Sequence, residues 1–132
     1  MKYILMMNTM KMGGGGFPGW PQKDIQGHIA FMKQLNNELR ETGELIGAEG
    51  LTFPEQAKLV RAGKDGTPMT DGVFPESKES LAGFWIVDVD TPDRAYAIAA
   101  RASAAPGLAG KPLNMPIEVR PLMSGPPDEL VV

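Results

Sequence analysis

Only two stretches of this chain repeat apolar residues at the helical period over a useful length, residues 21–42 and 94–105. The apolar runs around them are short and rich in β-branched and aromatic residues, which is the pattern of strands. In order, the chain predicts β-α-β-β-β-α-β, the split βαβ or ferredoxin-like α+β plan with an inserted hairpin. Two helices cover one face of such a sheet and leave the other bare. A second sheet must then shield that face, so the plan predicts a homodimer packed sheet to sheet.

The first strand is Lys2 to Asn8. A loop with four consecutive glycines, Gly13 to Gly16, and the aromatics Phe17 and Trp20 follows it. Gly14, Gly16 and Gly19 fit the spacing of a dinucleotide-binding turn, but Pro18 and Pro21 interrupt the close strand-to-helix turn and no further βαβ unit follows. The loop is read instead as a surface loop or lid. The first helix opens at Pro21 with Asp24 near its positive end, repeats Ile25, Ile29, Met32, Leu35 and Leu39, and stops at Gly43. His28, the one histidine, lies on or beside that apolar face. Two roles suit the place: a hydrogen-bonded packing residue, or a group that enters a cavity and exchanges a proton near neutral pH.

Residues 44–53 and 57–62 read as strands, and Gly63-Lys64-Asp65-Gly66 as the turn of a hairpin. The hairpin delivers a polar loop carrying Asp71, Glu76, Lys78 and Glu79 against the most strand-like run of the molecule, Phe84 to Val89. A loop held by a rigid strand is a natural place for functional groups. Phe84-Trp85-Ile86-Val87 is continuously apolar, as in a central strand covered on both faces. Asp88, Asp90 and Asp93 resemble a metal cluster, yet Asp90-Thr91-Pro92-Asp93 reads better as a helix start, and no metal is assigned. The second helix buries Ala95, Ile98, Ala99 and Ala102, and Ile117 to Arg120 is the last strand, confined to an edge by Pro121. Residues 1–123 are expected to form one domain and residues 124–132 a mobile tail.

With 132 residues, 42% of them hydrophobic, the chain suits one core. A net charge of −3 without basic clusters gives no footprint for nucleic acid or an anionic membrane. The absence of cysteine removes thiolate chemistry and suits a cytoplasmic setting. The apolar run after the first residue is too short to span a bilayer.

Two segments, Asn37-Glu38-Leu39-Arg40-Glu41-Thr42-Gly43-Glu44-Leu45-Ile46-Gly47-Ala48-Glu49-Gly50-Leu51 and Thr70-Asp71-Gly72-Val73-Phe74-Pro75-Glu76-Ser77-Lys78-Glu79-Ser80-Leu81-Ala82-Gly83-Phe84-Trp85, resemble the YCII-related proteins of the DGPF-domain type. Val73 stands where that motif has proline, which restores a backbone donor and frees φ. The resemblance implies a dimeric α+β barrel, on a fold that hosts cofactor-free enzymes and non-catalytic binders alike. It also implies an active-site histidine in the first helix, matched by His28, paired with an aspartate, for which Asp71 is the candidate. Asp71 is equally suited to bonding the backbone of its own turn. Phe74, Lys78, Glu79 and Trp85 are the candidate substrate contacts, and Lys78 and Glu79 also make sense as a surface ion pair. Two functions follow. One is a cofactor-independent enzyme in which His28 acts as general base on a small organic molecule, oriented by Asp71. The other is a non-catalytic small-molecule-binding or regulatory dimer whose pocket draws on the nine methionines.

Overall fold

A computed structural model describes residues 1–8, 19–71 and 80–123, with the backbone alone at Asp71. The described residues form β1 (Lys2–Asn8), α1 (Gln22–Glu41), β2 (Leu45–Gly50), β3 (Leu59–Ala62), β4 (Pro68–Asp71), β5 (Leu81–Asp88), α2 (Pro92–Ser103) and β6 (Ile117–Pro121). The main sheet has the order β2-β5-β1-β6, and each neighbouring pair is antiparallel. Because β1 and β2 both run against β5, they are parallel to each other with β5 inserted between them. This is the split βαβ arrangement of an α+β, ferredoxin-like fold.

The expected hairpin is present, but its return leg is a strand in its own right, one more than the β-α-β-β-β-α-β reading counted. β3 and β4 pair with each other in a separate two-stranded sheet. Its turn closes through Gly63 N–H to Thr67 O at 2.7 Å, with Gly66 at φ +85°. The strand read at 44–53 stops at Gly50, and a short 3-10 turn at Pro54–Gln56 delays β3 to Leu59. Proline at the first position of that turn fixes φ and offers no ladder donor.

α1 ends in a way its sequence explains. Gly43 adopts φ +79°, its N–H bonds Arg40 O at 3.0 Å, and Glu44 N–H bonds Leu39 O at 2.9 Å. That pair of bonds satisfies the last carbonyls and turns the chain straight into β2. α2 begins at Thr91, whose hydroxyl oxygen accepts from Arg94 N–H at 3.2 Å, with Pro92 as the first helical residue.

Both helices lie on one face of the sheet. Leu35 and Leu39 of α1 and Ala95, Ile98, Ala99 and Ala102 of α2 are buried with Tyr3, Leu5, Trp85 and Val87. Fully burying a leucine or isoleucine side chain contributes about 1.5–3 kcal/mol, and the small alanine face lets α2 approach the strands closely. Ile29 departs from the expected stripe and is 40% exposed. The core-facing residues of α1 are Phe31, Met32, Leu35 and Leu39, so the buried stripe starts later in the helix.

Strand alternation places Ile4, Met6, Phe84 and Ile86 on the opposite face, where Ile4 lies across from Ile86 and Met6 from Phe84. Those four residues are only half-buried, whereas Tyr3, Leu5, Trp85 and Val87 are buried. β5 is therefore covered on its helix side and partly open on the other within one chain. Among the described residues, no helix is long and apolar enough to cross a membrane.

Candidate functional site

A cleft of about 330 Å³ opens where the middle of α1 passes the ends of β1, β2 and β5. His28, Met32 and Asn36 of α1 contribute to its wall. Spaced by four residues, they form one stripe beside the core-facing stripe of the helix. Met7 of β1, Ala48 of β2, Gly83 and Trp85 of β5, Trp20 before α1, and Leu113 and Met115 before β6 complete most of the lining. Glu49 and Thr52 also border it.

The backbone between α2 and β6 is folded tightly over the start of α1. Gly107 N–H bonds Lys111 O at 2.7 Å, and Leu113 N–H bonds Ala105 O at 2.9 Å. Gly107 lies close against a side chain of this segment: a Cβ there would sit 2.5 Å from Leu113 Cδ2, so the leucine would have to shift. Two side chains of α1 hold this segment. Asp24 Oδ2 accepts from Ala109 N–H at 3.1 Å, and the His28 ring meets the Pro106 carbonyl oxygen through Nδ1 at 3.0 Å.

That second contact fixes the chemistry of the histidine. A carbonyl oxygen only accepts, so Nδ1 carries the hydrogen, and in the neutral ring Nε2 is the nitrogen able to take up a proton. Trp20 packs against the ring at an interplanar angle of 83° with centroids 5.9 Å apart. His28 is thus a hydrogen-bonded packing residue that also lines a cavity.

Trp85 also reaches the cleft, and its indole N–H donates to Asn36 Oδ1 at 2.8 Å. Of the other candidate residues, Asp71 is the last residue of β4, opposite Leu59, and its side chain lies outside the description. Phe74, Lys78 and Glu79, together with the glycine run Gly13–Gly16, lie outside the described residues. Asn36, Trp20 and the 106–115 segment were not singled out as site residues by sequence. Asn36 shares its helical stripe with His28, and that spacing is the signal that could have found it.

The acidic triplet Asp88, Asp90 and Asp93 divides as capping chemistry predicts, with Thr91 as the cap and Asp93 in the first turn of α2. Among the described residues, no three His, Asp or Glu side chains gather closely enough to hold a metal ion. Outside the cleft lining, two ion pairs join neighbouring elements. Arg94 forms a two-pronged ion pair with Glu44 at 2.8 Å for each contact, and Arg101 pairs with Glu38. The Arg94 guanidinium holds the Glu44 carboxyl below the usual glutamate range.

An uncharacterised protein of Rhizobium meliloti (strain 1021) is 29% identical over 111 residues, covering 84% of this chain and 86% of its own length. The family model of the YCII-related domain matches residues 1–109, which include β1, α1, the hairpin, β5, α2 and the Pro106 carbonyl that anchors His28. By that match the chain belongs to the YCII-related domain family.

Proposed function

We propose that the cleft binds a small organic molecule and that His28 moves a proton on it, without a cofactor. The observation that carries this reading is the His28 Nδ1 bond to the Pro106 carbonyl at the cleft wall. It orients the ring and assigns the basic role to Nε2, as a general base requires. The cleft volume lies at the small end of ligand-binding pockets, and its walls are largely apolar with a few polar points. In the simplest step, Nε2 takes a proton from the carbon next to a carbonyl and the electron pair moves onto the carbonyl oxygen as an enolate. Return of a proton from solvent restores the ketone. Asp71 is the partner we assign to the charged histidine, on the strength of the family likeness of its loop.

A second reading, binding without chemistry, draws on Met7, Met32 and Met115 in the lining, since flexible thioether side chains adapt to varied ligands. Deuterium uptake separates the two. A biphenyl carrying one acetyl group, in D₂O, is expected to exchange its methyl protons faster with the protein than in buffer, as read by proton NMR. His28→Ala and His28→Gln should both return the rate to that of buffer while keeping a cooperative unfolding transition. A wild-type rate equal to buffer, or full activity in both variants, removes His28 from catalysis and leaves the binding reading.

We further propose that the working unit is a homodimer joined through the face bearing Ile4, Met6, Phe84 and Ile86. These apolar side chains are only half-covered within one chain, and Ile46 at the bulge of β2 is 52% exposed. A second copy would cover them.

A further inference from the structure

The bond between Trp85 and Asn36 settles more than packing. An indole N–H only donates, so the Asn36 atom it meets at 2.8 Å is the carbonyl oxygen Oδ1. The amide orientation is thereby fixed, and Nδ2 with its two donors is the group left to Asn36 for other contacts. Asn36 is half-buried and lines the cleft. It lies on the His28 stripe with Met32 between them, the α-carbons of His28 and Asn36 being ~12 Å apart along the helix axis at 1.5 Å per residue.

We infer that Asn36 is the residue that orients the ligand, donating from Nδ2 to an oxygen at the end of the molecule remote from His28. This rests on the cleft being a ligand site and adds the class of molecule it takes. The ligand is elongated, because it must touch two polar points separated by Met32. Its middle is aromatic or otherwise apolar, matching Met7, Met32, Trp20 and Leu113. The oxygen at the Asn36 end belongs to a carbonyl or similar acceptor, because Nδ2 only donates. Asn36 is a positioning residue, acting on where the molecule lies and not on the proton transferred.

Two probes isolate the effect, a biphenyl with an acetyl group at each end and the same biphenyl with one. Binding is read by quenching of tryptophan fluorescence and by the shift of the single histidine's ring-proton resonance. The wild type should bind the doubly substituted probe about fivefold more tightly, the worth of one neutral hydrogen bond. Asn36→Asp keeps an acceptor for the Trp85 indole but replaces the donor with a carboxylate oxygen, so the preference should vanish or reverse. Trp85→Phe releases the amide and should weaken the preference. Equal binding of both probes by the wild type, or a preference that survives Asn36→Asp, overturns the inference and leaves the cleft standing as a ligand site. Binding of neither probe overturns the cleft itself as a site for such molecules, and this inference with it.

Discussion

Trp85 Nε1 and Asn36 Oδ1 stand 2.8 Å apart, a bond that ties the middle of β5 to α1 across 49 residues of sequence. Both ends sit at the boundary between core and cleft. Trp85→Phe leaves Asn36 Oδ1 without its donor and should destabilise the fold by about 1–2 kcal/mol in urea unfolding. Asn36→Leu leaves the indole N–H unpaired and should cost a similar amount. The double variant should recover ~1 kcal/mol of the summed loss, since neither group is then left without its partner. Strict additivity would show that the contact contributes nothing.

Local chemistry made much of the fold legible. Thr91-Pro92 announces its helix by capping, Gly63-Lys64-Asp65-Gly66 announces a hairpin, and the spacing of Ala95, Ile98, Ala99 and Ala102 names the buried face of α2 correctly. Ile29 did not follow, because helical period alone does not say where along α1 the core-facing stripe begins. The cleft was the least legible part. Its walls come from separate segments, and the Pro106 carbonyl that orients His28 is 78 residues away from it. Trp85, named from sequence as a candidate substrate contact on the central strand, lines the cleft from β5. Phe84 to Val87 looked uniformly apolar, yet alternation assigns Trp85 and Val87 to the helices and Phe84 and Ile86 to the other face.

The Glu44–Arg94 pair predicts how stability responds to acid. Hydrogen bonding and charge from Arg94 lower the Glu44 pKa in the folded protein, and the Thr42 hydroxyl adds a further bond at 2.8 Å. A carboxyl whose folded value is depressed contributes its stability above the unfolded value of ~4.3 and loses it as pH falls through the folded value. Glu44→Gln should therefore destabilise the protein at pH ~7 by about 0.5–1 kcal/mol, a modest figure because the Arg94 side chain is 38% exposed. The difference from wild type should shrink below pH ~4. A gap that stays constant down to strong acid would mean the charge on Glu44 is irrelevant.

Gly43 tests whether the end of α1 is set by backbone conformation. At φ +79° it lies in the left-handed region, and a Cβ there would meet nothing within 4 Å. Crowding is thus excluded, and the effect of Gly43→Ala should be the conformational penalty alone, about 1–2 kcal/mol in chemical denaturation. Gly43→Asn should lose less, since asparagine tolerates that region. Equal losses for Ala and Asn would point away from φ as the cause.

Ile86 distinguishes a working dimer from a self-sufficient chain. It lies on the face turned from the helices, across from Ile4, and is half-buried in one chain. A lysine placed there in a monomer could extend its ammonium into water, and stability should change little. Between two packed sheets, the same ammonium would be buried without a partner, at a penalty large enough to separate the subunits. Ile86→Lys should accordingly give a folded monomer, or an unfolded chain if the subunits cannot stand alone. The wild type should sediment as a dimer at micromolar concentration, burying ~800 Å² or more per subunit. Trp85→Glu serves as the contrast, because Trp85 is 6% exposed and faces the helices. It should destabilise the fold itself, lowering the unfolding midpoint even at protein concentrations where subunit exchange plays no part. A well-folded wild-type monomer at micromolar concentration, with Ile86→Lys indistinguishable from it, would remove the sheet-to-sheet dimer.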